Sequence, residues 1–505
     1  MQENHDGPND PETCRKATWL MPFIYLLLFS LICLQPSWPK PFSWPDSAGC
    51  AILVGTLVVT SWLSAGLIAR TLAWQMRQHP ERRGAILRSY VRWRRRHFIA
   101  LIAGYLIALY LLGWGKVLAD GWVVYVPAWL HSRDNLPGFH VVLILPFFLS
   151  LVASWERFYG VEKPAYELGH TDDVFISKAN FLLMQIRHQF FLVVAPMALM
   201  VLLQVLYIAF AGADEDSDVP ALMMLAIIGM ALILMPWLLR IFLGLKPLPP
   251  GPLRDRLESA AHRLRFRFSN ILVWNTRNLM ANALVTGFVP SIRYVILTDR
   301  LIDELTPEEI ESVFGHEVGH VKHHHLLFYL AFFLTSFLLL SVFWELLKGF
   351  VRQDEIISWL RGFEFLGESR DEIKQTLNTF SSFGKLAILG GYTLLCFGFV
   401  SRRCERQADL FGSTAVSTDV FINALEKVAA INGIPRDRAG NWLLSWQHPT
   451  IAQRVDFLLA MRDNPLRVTQ FHRSIALLKW SFFLALGFLS FWFGAHRVWE
   501  LLKEF

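Results

Sequence analysis

The chain has 505 residues, 54% hydrophobic and only 18% charged, which is far from the balance of a soluble globular protein. The formal net charge of +6 reflects arginines gathered near the membrane, and nothing in that pattern calls for a nucleic-acid partner. Its five cysteines, Cys14, Cys33, Cys50, Cys396 and Cys404, are scattered, which excludes both a disulfide framework and a zinc–thiolate site.

From the amino terminus, residues 1–17 are too poor in apolar side chains to fold and read as a disordered cytoplasmic tail. Apolar runs long enough to cross a hydrocarbon core, which takes about 20 helical residues, follow at 19–34, 49–69, 98–118, 139–155, 190–211, 222–244, 326–347, 385–400 and 475–495. The first lacks a small-residue cleavage site before Pro36 and Trp38 and reads as an uncleaved anchor. The expected architecture is a mainly α, polytopic membrane protein with about nine transmembrane helices, about six of them in the segment 18–245.

The loop after the second span holds Arg70, Arg77, Arg82, Arg83, Arg88, Arg92, Arg94, Arg95 and Arg96. Asp214, Glu215, Asp216 and Asp218 fill the loop after the fifth span, with no basic residue among them. Since short cytoplasmic loops carry the excess of Lys and Arg, the arginine loop is inside. Alternation then places 246–325 and 401–473 in the cytoplasm, with the mixed-charge loop 348–383 outside. Glu156, Arg157 and 170–173 have no evident role in this scheme.

The segment 246–325 carries Gly315-His316-Glu317-Val318-Gly319-His320. Histidines four apart share a helical face, so His316 and His320 can reach one zinc ion while Glu317 addresses the water that zinc activates. Thr306-Pro307-Glu308-Glu309 supplies an N-cap, a proline at the first helical position and a capping-box glutamate, so a helix starts there. The acids Glu308, Glu309 and Glu311 predict that this helix begins in water. His324 continues the face of His316 and His320, and His323, His324 and His325 read as a polar collar at the mouth of the next span.

A catalytic zinc needs a third protein donor. After the transmembrane pair 326–400, the segment 401–473 opens with Arg402-Arg403-Cys404-Glu405-Arg406-Gln407-Ala408-Asp409. Glu405 and Asp409 share a helical face, one able to bind metal and the other to hold a ligand histidine or position the water. The last segment, 474–505, is a final span and tail.

E-x-x-x-D after H-E-x-x-H, with spans between, resembles the gluzincin membrane zinc metallopeptidase family of the CAAX prenyl endopeptidases and HtpX-like heat-shock proteases. Asn282-Ala283-Leu284-Val285-Thr286-Gly287 resembles that family's asparagine–alanine edge strand, Tyr294–Asp299 the strand leading into the motif helix, and His448-Pro449 with Arg454 its late histidine–proline element. The resemblance implies a zincin-like cytoplasmic peptidase region with a small β-sheet. It implies one zinc per chain on His316, His320 and Glu405, with Glu317 as general base and Asp409 supporting or donating a proton. His448 would help hold the oxyanion, while Asn282, Ala283 and Arg454 would face the substrate. Trp446-Gln447 depart from the small hydroxyl residue found there in relatives, and the N-terminal spans are an addition to the family's best-known members.

The expected function is zinc-dependent endoproteolysis of peptides or membrane proteins, in quality control or processing, at a bacterial inner membrane with the site facing the cytoplasm. The competing class is an inactive, sensor or transport protein with a structural zinc.

Overall fold

The computed structural model describes residues 46–122, 139–167, 175–187, 219–276, 280–350, 384, 388, 390–432, 434, 436 and 448–503. The spans expected at 19–34 and 190–211, the tail, the acidic loop, residues 351–383, 170–173 and 446–447 lie outside these. The chain divides into two compact units, one formed by 1–234 with 354–383 and the other by 235–353 with 384–505.

In the first unit α1 (Ser47–Gln78), α2 (Arg83–Tyr110), α3 (Trp114–Trp122) and α4 (Phe139–Glu167) pack together. Polar groups tie these helices. Glu162 on α4 accepts from Tyr90 Oη at 2.8 Å and from Arg94 Nη1 at 2.9 Å on α2. His97 bridges Ser154 and Ser64 at 2.8 and 3.2 Å. Glu156 and Arg157 also find their use here: Trp62 of α1 donates to the Glu156 carboxylate, and the Arg157 guanidinium lies 3.5 Å from the Trp62 ring centroid. Helix α5 (Val219–Phe242) follows in the chain.

The second unit holds a four-stranded sheet of order β1-β2-β4-β3, built from β1 (Lys246–Pro247), β2 (Asn270–Trp274), β3 (Ala283–Thr286) and β4 (Tyr294–Thr298). β4 is parallel to β2 and antiparallel to β3, which leaves β3 at an edge. All five residues of β4 are buried, as expected for an apolar run covered on both faces. At the end of β3 the chain turns through Gly287, whose φ of +107° and approach to Ile292 O leave no room for a Cβ.

Around the sheet lie α6 (Pro252–Arg263), the short α7 (Asp299–Glu304), α8 (Pro307–Lys322), α9 (His325–Phe350), α10 (Gly398–Ala415), α11 (Thr418–Ile431), α12 (Ile451–Arg462) and α13 (Pro465–Lys503). Leu257, Ile271, Val295, Leu297, Phe314 and Val318, all without exposure, join α6, the sheet and α8 in one core. Each such side chain is worth about 1.5–3 kcal/mol relative to exposure. Helix α8 starts as its sequence requires: Thr306 N–H donates to the Glu309 carboxylate, and Glu309 N–H donates to Thr306 Oγ1.

Its start at Thr306 and Pro307 is exposed and Glu308 half-exposed, but the next two acids do not face water. Glu311 is 2% exposed and paired with Arg256 and Arg263 of α6, and Glu309 is paired with Lys427 of α11 at 2.8 Å. The charges that suggest a solvated helix start are ion pairs holding α6 and α11 against α8.

Among the described residues three helices are long and apolar enough to cross a membrane: Ser47–Gln78, Val141–Glu167 and Pro465–Trp492. Counting two bent pairs as single spans makes five, one being α8 with the start of α9, bent by 45°. The bend falls at His323–His324, where α8 ends and His324 takes a φ of +54°.

α8 and α10 cross at very short range through glycines. A Cβ on Gly319 would stand 2.9 Å from Phe411 Cβ and 3.1 Å from Ala408 Cα, and one on Gly315 would stand 2.5 Å from Ala415 Cβ. Gly319→Val should therefore cost about 1–3 kcal/mol through overpacking. It is read as a lower thermal-unfolding midpoint of the detergent-purified chain; an unchanged midpoint contradicts the close crossing.

Candidate active site

The glycine-lined crossing sets α10 against the H-E-x-x-H face of α8. His316 Nε2 and His320 Nε2 are 3.2 Å apart, as their spacing of one helical turn requires. From α10, Glu405 places one oxygen 3.7 Å from His316 Nε2 and the other 3.5 Å from His320 Nε2. These donors all lie within 4.8 Å of one another, the one such group among the described residues.

The donor set fits zinc. Ligands at about 2.0–2.1 Å in a tetrahedral shell stand about 3.3 Å apart, close to the separations found here. The electrostatics of Glu405 and His320 point the same way. Burial raises the Glu405 carboxyl, but the imidazoles of His448, His320 and His316 outweigh it and hold the group well below the usual carboxylate range. Burial drives His320 down to about 4, so that imidazole is neutral, the form a metal requires. Two nitrogens 3.2 Å apart cannot both carry protons toward each other, so at least one presents a lone pair to the cleft.

Asp409, one turn beyond Glu405, has no exposure and lies 3.0 Å from His316 Nδ1, on the far side of that ring from Glu405. Arg454 of α12 clamps the same carboxylate, Nε donating to Oδ2 at 2.9 Å and Nη2 to Oδ1 at 2.5 Å. The result is a guanidinium–carboxylate–imidazole line that fixes the orientation of His316. Arg454, expected on the substrate side, has its guanidinium fork on Asp409.

Glu317 faces the other way, toward β3. Desolvation raises its carboxyl to about 7, and the Val285 N–H donates to it. Asn282 is held by its backbone: its N–H donates to Thr298 Oγ1 at 2.8 Å and its C=O accepts from Thr298 N–H at 3.0 Å. By the alternation of an antiparallel ladder, Ala283 and Val285 then turn their backbone groups outward from β4, toward the site. Behind this strand Asn432 grips Ala281, accepting from its N–H at 3.0 Å and donating to its C=O at 2.6 Å. The exposed His448 brings Nδ1 to 2.9 Å from Glu405. The structure thus gathers His316, Glu317, His320, Glu405, Asp409, His448 and Arg454 around one cleft, with the Asn282–Ala283 segment at its rim.

His324 does not join them. Because α8 stops at Lys322, His324 is exposed and His325 turns back instead, its Nδ1 3.0 Å from His320 Nδ1. Sequence spacing had no means of showing this, since the continuation of the helix was the premise.

Residues 247–462 match the sequence profile of Peptidase family M48. That stretch is similar to a peptidase family M48 domain. Curated relatives agree. A CAAX prenyl protease 1 homolog of Oryza sativa subsp. japonica is 28% identical over 235 residues, 42% of this chain and 48% of the rice protein. Protease HtpX of Pseudomonas savastanoi pv. phaseolicola is 25% identical over 194 residues, 35% of this chain and 61% of that protein. The chain thus spans less than two thirds of either relative's length. The crystal structure of S. mikatae Ste24p aligns with 81% of this chain and 99% of its own at 16% identity and a TM-score of 0.46. The matched stretch contains both α8 and α10, which belong to the second unit.

The buried Asp409–Arg454 pair yields a stability test. Asp409→Ala leaves a buried guanidinium uncompensated and should cost about 3–5 kcal/mol, whereas the double variant Asp409→Leu/Arg454→Met should recover most of it. The check is the unfolding midpoint of metal-stripped protein; equal midpoints for the two variants contradict the pairing.

Proposed function

We propose that the chain is an integral-membrane zinc metalloendopeptidase, with one zinc held by His316, His320 and Glu405. The observation that carries this reading is the set of three donor atoms, from helices far apart in sequence, all within 4.8 Å of one another beside a raised carboxyl on Glu317. The peptidase family match supports it.

Bound zinc would supply a Lewis acid and an activated water at neutral pH. The chain's residues do the rest. Glu317 takes the proton from the attacking water and passes it to the leaving amine, and a carboxyl raised toward neutrality suits both halves of that cycle. His448, exposed at the mouth, donates to the developing oxyanion. Asp409, held by Arg454, keeps His316 oriented.

The substrate lies extended along the rim strand, its backbone pairing with the outward groups of Ala283. Backbone pairing makes little demand on sequence, which suits processing or quality control of membrane proteins. α9, an expected span, begins within a few residues of His320, which supports a membrane-proximal scissile bond. The arginine loop supports a cytoplasmic site, and a bacterial inner membrane fits the HtpX relatives.

Glu317→Gln should lower hydrolysis of a quenched fluorogenic peptide by about 10²–10⁴-fold while zinc content stays that of wild type. Cleavage at the wild-type rate would overturn the mechanism. For orientation, a single cysteine at Ser417 in a cysteine-free background should react with a membrane-impermeant maleimide in inverted vesicles and not in intact cells. The reverse pattern would place the site outside.

A further inference from the structure

Behind the H-E-x-x-H face lies a chain of polar side chains that the mechanism above does not use. His325, 1% exposed, brings Nδ1 to 3.0 Å from His320 Nδ1 and Nε2 to 3.0 Å from Gln407 Oε1. Gln407, on α10 between Glu405 and Asp409 and 4% exposed, places Nε2 2.9 Å from His472 Nδ1 on α13. Lys479, two turns further along α13, donates to Gln407 Oε1 at 3.2 Å and to His323 O at 2.6 Å.

The donors and acceptors of this chain can be assigned in one direction. A lysine ammonium has only hydrogens to offer, so the atom of Gln407 that meets it is the oxygen. That oxygen accepts, so His325 Nε2 carries a proton and donates to it. A neutral His325 then has a bare Nδ1, which accepts, so the proton on His320 sits on Nδ1. His320 Nε2, facing His316 and Glu405, is left with a lone pair.

We propose that Lys479, acting through Gln407 and His325, fixes the tautomer and orientation of His320, so that its Nε2 is preset as a metal donor. These are positioning residues, and the arrangement joins α13, a candidate membrane span, to the metal cleft by hydrogen bonds. His472 accepts from an amide already oriented by Lys479 and is a passenger. The inference rests on the reading of His320 as a zinc ligand.

The test is zinc affinity of the metal-stripped, detergent-purified full chain, measured by competition with a chromophoric chelator, beside the unfolding midpoint without metal. Gln407→Leu, which removes the acceptor, should weaken zinc binding by roughly 10–100-fold. Gln407→Glu keeps an oxygen toward His325 and Lys479 and should stay within a few-fold of wild type, as should His472→Phe. A merely structural role would lower the metal-free midpoint and leave affinity untouched.

Wild-type affinity in Gln407→Leu, equal losses in Gln407→Leu and Gln407→Glu, or a loss in His472→Phe as large as in Gln407→Leu would each overturn the proposal. Should Gln407→Leu fail to fold, His325→Phe keeps a ring against Tyr329 and carries the same expected loss and the same refutation. Absence of zinc binding by wild type would instead strike at the metallopeptidase reading itself.

Discussion

Everything at the cleft depends on how near α8 and α10 can approach. Gly315 and Gly319 on one helix and Gly412 on the other remove the side chains that would hold the backbones apart; a Cβ on Gly412 would meet His316 Cβ and Ser312 O at 3.1 Å. With the backbones this close, the short side chains of Glu405 and Asp409 reach opposite edges of the His316 ring. A wider crossing would leave Asp409, without exposure, as an unpaired buried charge, which costs several kcal/mol.

That approach is held from both sides. On the sheet side, α8 is bound to α6 and α11 by the buried pairs of Glu311 and Glu309 and by the core around Phe314 and Val318. On the other, α12 brings Arg454 to Asp409 and α13 brings Lys479 to Gln407. Two of the three ligand residues thus have a buried partner on another helix, Asp409 for His316 and His325 for His320. The polarity is divided as well: Glu317 sits against Val285 in a site that favours its neutral form, while Glu405 and Asp409, among cations, are kept ionised.

What could be read in the sequence was what depends on neighbours a few residues away. The start of α8 follows from Thr306, Pro307 and Glu309, and the facing of His316 and His320 from their spacing, because capping and helical period are local. Long-range pairings were illegible: Glu309 looks solvated until Lys427, 118 positions on, is known to meet it. Gln407 carries no signal of its own, because its partners His325 and His472 lie 82 and 65 positions away. His324 misled for the opposite reason, since a local rule was carried past the point where the helix stops. Of the second unit's sheet, the family resemblance pointed to β3 as an edge strand and to β4 as the strand before α8, while the pairing with β1 and β2 had no local sign.

A single zinc would tie together α8 and α10, two helices far apart in sequence. Elemental analysis of the purified protein, compared with His316→Ala and Glu405→Ala, tests it most directly. About one zinc per chain is expected in wild type and lost from both variants, as for a three-ligand catalytic site. Zinc retained in full by Glu405→Ala would contradict it, because the metal would then not bridge α8 and α10.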